Sequence, residues 1–152
     1  MVIAEQWSPG TEHNLELWEA DVPTGTSGDI VATWSAAMGG CAIGVFRVVG
    51  AASGYSSRSS AELSAGTGVA VSTTMNVPVK GVLLAVSAHN ENRTSVWVGV
   101  SEDFDSVSAD SDWDISGGSL QLLAGETGRT ISSTPSGHVA ASLLVTASYG
   151  PA

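Results

Sequence analysis

The chain is broken into short apolar runs with a period of two, and almost none of it carries a helical period. Residues 82–88 (Val-Leu-Leu-Ala-Val-Ser-Ala) constrain the fold most. They are apolar on both faces, the pattern of a central strand covered on both sides. The clearest alternation is residues 41–49. Cys41, Ile43, Val45, Arg47 and Val49 would share one face, and Ala42, Gly44, Phe46 and Val48 the other. Residues 69–77 alternate Val69, Val71, Thr73, Met75 and Val77 against small or polar partners until Pro78 ends the run. Residues 95–100 set Val96, Val98 and Val100 opposite Trp97 and Gly99. Residues 15–20, 29–34, 119–124, 129–133 and 139–148 bring the set to about nine strands, spaced by turn signals as in an antiparallel sandwich or barrel.

Two stretches read as loops. Residues 50–68 are rich in Ser, Gly and Ala, and residues 101–118 hold six of the fifteen acidic residues. Residues 60–65 have the only helix-compatible composition and are too short to stand alone. Residues 139–145 fit a buried helix by period, but their Thr and Ser neighbours favour a strand closing the sheet. The expected fold is all-β: an antiparallel β-sandwich, jelly-roll-like, built by residues 15–152 as one domain. Residues 1–14 read as an N-terminal docking segment, from their polarity and Trp7.

Composition narrows the function. A chain of 152 residues can close one hydrophobic core without disulfides or metal. Its 43% apolar content is too high for a disordered chain. Charged residues are 13% of the chain, about half the usual share. The net charge is −10. Nucleic acid is excluded as the main partner, because Arg47, Arg58, Lys80, Arg93 and Arg129 are spread out and phosphate binding needs clusters. An anionic membrane surface is disfavoured for the same reason. No apolar run approaches the ~20 residues of a membrane span. Residues 1–10 lack the basic and apolar regions of a signal peptide, so synthesis in the cytoplasm is expected.

Candidate chemistry is sparse. No G-x-S-x-G elbow is present, and His13, His89 and His138 read as ordinary surface or turn histidines. One Cys and three scattered His make no zinc site. The run Asp110-Ser111-Asp112-Trp113-Asp114 opens like a calcium loop, but Ile115 stands where Gly is needed and Gln121 where Glu is needed. It reads instead as a solvated acidic loop. Glu102, Asp103 and Asp105 follow a strong strand, and extended geometry would put Asp103 and Asp105 on one side, close enough for a retaining glycosidase pair. Such pairs usually come from separate elements, so no catalytic residue, metal or cofactor is assigned. Of five tryptophans, Trp34 and Trp97 fall in strands and read as core. Trp7 and Trp113 sit in irregular segments and are candidate contact residues, as are Asp103 and Asp105. Asn92-Arg93-Thr94 matches a glycosylation acceptor but has no secretory context. Cys41, the single cysteine, heads an alternating run and reads as a buried thiol.

Residues 20–34 (Ala-Asp-Val-Pro-Thr-Gly-Thr-Ser-Gly-Asp-Ile-Val-Ala-Thr-Trp) and 40–50 (Gly-Cys-Ala-Ile-Gly-Val-Phe-Arg-Val-Val-Gly), with Met75-Asn76-Val77-Pro78, residues 94–99 and Glu102-Asp103-Phe104-Asp105, carry a family resemblance. The chain resembles a loosely described group of proteins encoded by tailed bacteriophages and prophages, notably those of alphaproteobacteria. The resemblance covers residues 15–152 and includes no catalytic signature. It implies a β-sandwich virion protein: a capsid decoration, collar or tail component, located in the particle. Its expected partners are other virion proteins and copies of itself. Two alternatives are a carbohydrate- or receptor-binding module on a fibre, taking a host surface glycan through Trp113, and a small glycan hydrolase using Glu102, Asp103 or Asp105.

Overall fold

The computed structural model describes residues 2–7, 14–21, 28–34, 41–67, 69–106 and 113–152, with backbone only at 2–7 and 64–67. Among them there is no helix. Ten strands are formed: β1 (Val2–Trp7), β2 (Leu15–Glu19), β3 (Ser57–Thr67), β4 (Val71–Val77), β5 (Val82–Asn90), β6 (Ser95–Val98), β7 (Ser101–Ser106), β8 (Trp113–Gln121), β9 (Glu126–Pro135) and β10 (His138–Tyr149). A five-stranded sheet runs β3-β10-β5-β8-β7, a three-stranded sheet runs β4-β9-β6, and β1 pairs with β2. Every pairing is antiparallel. The protein is an antiparallel β-sandwich. Its pairs nest: β3 with β10, β4 with β9, β5 with β8, falling alternately in the two sheets.

β5 lies between β10 and β8, the central place its two-faced apolarity demands. Leu83 and Ala85 face the three-stranded sheet, where they meet Val71, Met75, Val77, Ile131 and Leu144. Leu84 and Val86 face the other way and pack with Leu143, Val145, Leu15 and Leu17. Covering this second face are β2, from the β1–β2 ribbon, and Phe46 and Ala51. The large sheet is thus buried on both sides. Each fully buried Leu or Ile contributes about 1.5–3 kcal/mol of transfer free energy. Tyr149 ties the ribbon to β10. Burial, and then the Glu19 carboxylate that accepts its hydrogen bond, push its hydroxyl well above the ordinary phenol range.

The structure departs from the sequence expectations in five places. Residues 29–34 and 41–49 form no strand. Alternation specifies two faces but supplies no neighbour to pair with. Residues 50–68, expected as a loop, contain β3, and residues 60–65 are strand. β3 is a sheet edge whose backbone pairs along nearly the whole of β10, so its small side chains cost little. Residues 101–118 contain β7 and the start of β8. The strand expected at 119–124 is the end of β8, which stops at Gln121.

Two glycines show how tightly the layers approach. Gly117 lies under the Phe104 ring, where a Cβ would come within 2.4 Å of a ring carbon. Gly99 has φ +89 and would set a Cβ 2.2 Å from the Thr130 carbonyl oxygen. Gly128 also has positive φ, +69, but faces open space. Both Gly→Ala changes therefore carry the left-handed strain of about 1 kcal/mol, and only Gly99→Ala adds a backbone clash. Urea denaturation is expected to show a loss at least 1 kcal/mol or so larger for Gly99→Ala than for Gly128→Ala; equal losses contradict the close approach.

Candidate functional site

Between the two sheets lies a layer of hydroxyls around one histidine. His89 on β5 is fully buried, with Nδ1 2.8 Å from Ser142 Oγ and Nε2 2.9 Å from Ser133 Oγ. Ser133 Oγ is in turn 2.9 Å from Ser87 Oγ. The strand period places these groups together. Ser87 and His89 are two apart on β5, Ser142 stands opposite His89 on β10, and Ser133 comes from β9 above. Thr146 and Ser148 continue the row, donating to the carbonyls of Ser59 and Asn76. The expectation of a surface or turn histidine fails for His89, because its odd-numbered position points into the sandwich. Burial pushes its pKa down to about 4, so the ring is neutral at ordinary pH. A sealed, neutral imidazole with a serine on each nitrogen joins the sheets; it has no opening to a substrate. His138 begins β10 and is exposed, and His13 lies outside the described residues.

The acidic residues divide by role. A bulge interrupts β7 between Glu102 and Phe104, with Asp103 as its extra residue. Asp103 is exposed and Asp105 is half-buried. Asp105 neighbours Asp114 of β8. Asp105 Oδ2 accepts the Ser95 N–H at 2.8 Å, and the buried Asp114 accepts the Arg93 N–H. Together they hold the turn between β5 and β6, where Glu91 has φ 66. Burial, with a smaller push from Asp114, raises the Asp105 pKa, and the Ser95 bond only partly offsets this. The solvated acidic loop expected here is contradicted at Asp114. Asp110 and Asp112 lie outside the described residues.

The aromatic candidates also move. Trp113 opens β8 and is half-buried against the ribbon-side core, so it is not a loop-borne contact residue. Trp7 pairs by its backbone with Leu15, and its side chain lies outside the described residues. Trp97 is part of the inner core, its indole N–H donating to Ser116 Oγ at 2.8 Å. Trp34, expected in the core, is exposed, and residues 28–34 form no strand. Cys41 is exposed too.

Concavity is modest. A hollow of about 370 Å³ is lined by Ser56, Asn76, Pro78, Val79, Glu126 and Thr127 among others, with a single carboxylate. A second, of about 60 Å³, lies under Val48, Lys80 and Tyr149. Among the described residues no three His, Cys, Asp or Glu gather as metal ligands, and no helix is long and apolar enough to cross a membrane.

The flank made by residues 41–49 is different. Gly44 and Phe46 face inward: a Cβ on Gly44 would come 2.4 Å from the Phe104 ring, and Phe46 stacks on that ring at 5.7 Å, tilted by 43°. The opposite row faces water, with Ile43 55%, Val45 61% and Val49 79% exposed. Phe104 belongs to β7, an edge strand of the large sheet among the described residues, and its ring lies over Gly117 of β8, so the segment covers the sheet face next to that edge. Sequence reasoning found the alternation but paired it inside the chain. No protein-family description, curated protein or solved structure matches this chain. The site is thus defined by geometry alone: an all-β sandwich with a buried polar seam inside and an apolar flank outside.

Two measurements test the assignment of the polar groups. In the unfolded chain His89 titrates near 6.5, in the folded one near 4. The unfolded state binds the extra proton between these values, so stability present above 6.5 is lost as pH falls to about 4. The expected loss is about 3 kcal/mol, read from urea melts across that window; His89→Gln is expected to flatten the slope. Asp105→Asn keeps an acceptor for Ser95 and removes the repulsion with Asp114. It should leave neutral-pH stability undiminished, whereas Asp114→Ala, which strips the Arg93 N–H, should cost about 1–3 kcal/mol.

Proposed function

We propose that this chain is a non-enzymatic structural protein that works by protein–protein contact, as a component of a tailed-phage particle: capsid decoration, collar or tail. The observation that supports it is the flank at residues 41–49, where Ile43, Val45 and Val49 stand in water beside the β7 edge. Contiguous exposed apolar rows of this kind mark binding surfaces. The phage setting rests on the resemblance of residues 15–152, and the nested strand pairing supports the jelly-roll-like form of the sandwich. In this reading the buried serine–histidine layer specifies how the sheets stack, and it takes no part in turnover. Many copies on a symmetric particle would make weak contacts sufficient.

The alternatives have less support from the fold. Glycan binding was argued from Trp113 on a loop, and Trp113 is half-buried in β8. Hydrolysis was argued from Asp103 with Asp105, and Asp103 falls in the bulge of β7 while Asp105 holds the Ser95 N–H. Purified particles from a lysogen or infected culture carrying this gene provide the test. The protein is expected in the particle in stoichiometric amount; its absence from intact particles overturns the proposal.

A further inference from the structure

The flank at residues 41–49 also says what kind of partner fits it, and this step rests on the structural role proposed above. The geometry points to a second copy of this chain, joined through a twofold contact in which the outward row of residues 41–49 and the β7 edge of one protomer meet the same two features of the other. Three observations carry this. First, the outward row is unpaired: residues 41–49 belong to no ladder, so their backbone is open to a neighbouring chain. Second, the flank carries charges of both signs. Arg47 is exposed and is the row's one charge. Beside the segment, β7 carries the exposed carboxylates Glu102 and Asp103. Phe46 on Phe104 keeps both features on one flank of the molecule. A surface that bears a cation beside an acidic edge is self-complementary under a twofold axis: each Arg47 can reach the other copy's Glu102 or Asp103. Third, the chain carries a net charge of −10, and this flank sets a guanidinium among Ile43, Val45 and Val49, which lowers the repulsion between two copies that meet there.

The bulge at Asp103 fits the same arrangement. Open edges are protected from indiscriminate pairing by charges and bulges. Glu102 and Asp103 put both on β7, and the partner they admit must bring a cation at the right place.

Analytical ultracentrifugation of the full chain tests this. The wild type is expected to sediment as a dimer at the higher concentrations and to dissociate on dilution. Val45→Lys and Arg47→Glu are each expected to weaken the dimer at least about tenfold, the usual effect of an uncompensated charge in a contact, with circular dichroism and urea midpoint unchanged. Arg47→Glu combined with Glu102→Lys and Asp103→Lys reverses both charges and is expected to restore the dimer. Glu62→Lys, which changes net charge on the exposed side of β3, should not alter it. A wild type monomeric at every concentration, a dimer indifferent to Val45→Lys, or a failed charge reversal overturns the inference. The structural role itself is tested separately by presence in the particle: a monomeric chain that still co-purifies with particles leaves that role standing and removes only the self-partner.

Discussion

The ladder between β5 and β10 is the constraint on which the other layers depend. Eight residue pairs, from Ser142 opposite His89 to Tyr149 opposite Val82, run through the middle of the large sheet. Odd positions of β5 and even positions of β10 serve one core, and the remaining positions serve the other. A slip of one residue would send Leu83, Leu144 and His89 to the wrong side together. Register here therefore sets both cores and the polar seam at once. β3 and β8 extend this pair outward, the small sheet covers one face, and β2 with residues 46–51 covers the other.

The seam is an unusual choice of filling. Ser87, Ser133, Ser142, Thr146 and Ser148 occupy positions where leucine or valine would bury more apolar area. Hydroxyls are cheap to bury when every one has a partner, and several of these bond across the gap between sheets. Their gain is directional. Apolar side chains tolerate sliding of one sheet over another, whereas Ser133 can meet His89 and Ser87 from only one place. A chain rich in serine and poor in charge can in this way fix its layers without ion pairs in the core.

How much of this was legible in the sequence follows from the same physics. The strands at the centre were, because burial on two faces leaves an apolar run in residues 82–88 and a long one in 139–148. Those at the edges were not: β3 and β7 are held by backbone pairing, and serine, glycine and acidic residues do not announce a ladder. His89 looked like a surface residue because a lone histidine in a strand says nothing until the register brings serines to both its nitrogens. The bulge at Asp103 was not legible either, because it has no signature in Asp103 or Asp105 themselves. Asp114 reads as one of three alternating acids, yet it is the buried acceptor for a turn formed by Arg93, which lies distant in sequence.

The most instructive departure is residues 41–49, the clearest alternation in the chain and yet no strand. Its inner row is used: Gly44 admits the Phe104 ring and Phe46 packs on it. Alternation with one row spent on the molecule's own edge and the other left apolar in water is a pattern half satisfied. An isolated protomer gains nothing from Ile43, Val45 and Val49 in those places, since polar residues there would leave the Phe46 contact intact and the chain more soluble. Hydrophobic residues on the outward row lower the free energy only when something covers them. The fold thus accounts for one side of this segment, and the copy-to-copy contact proposed above would account for the other.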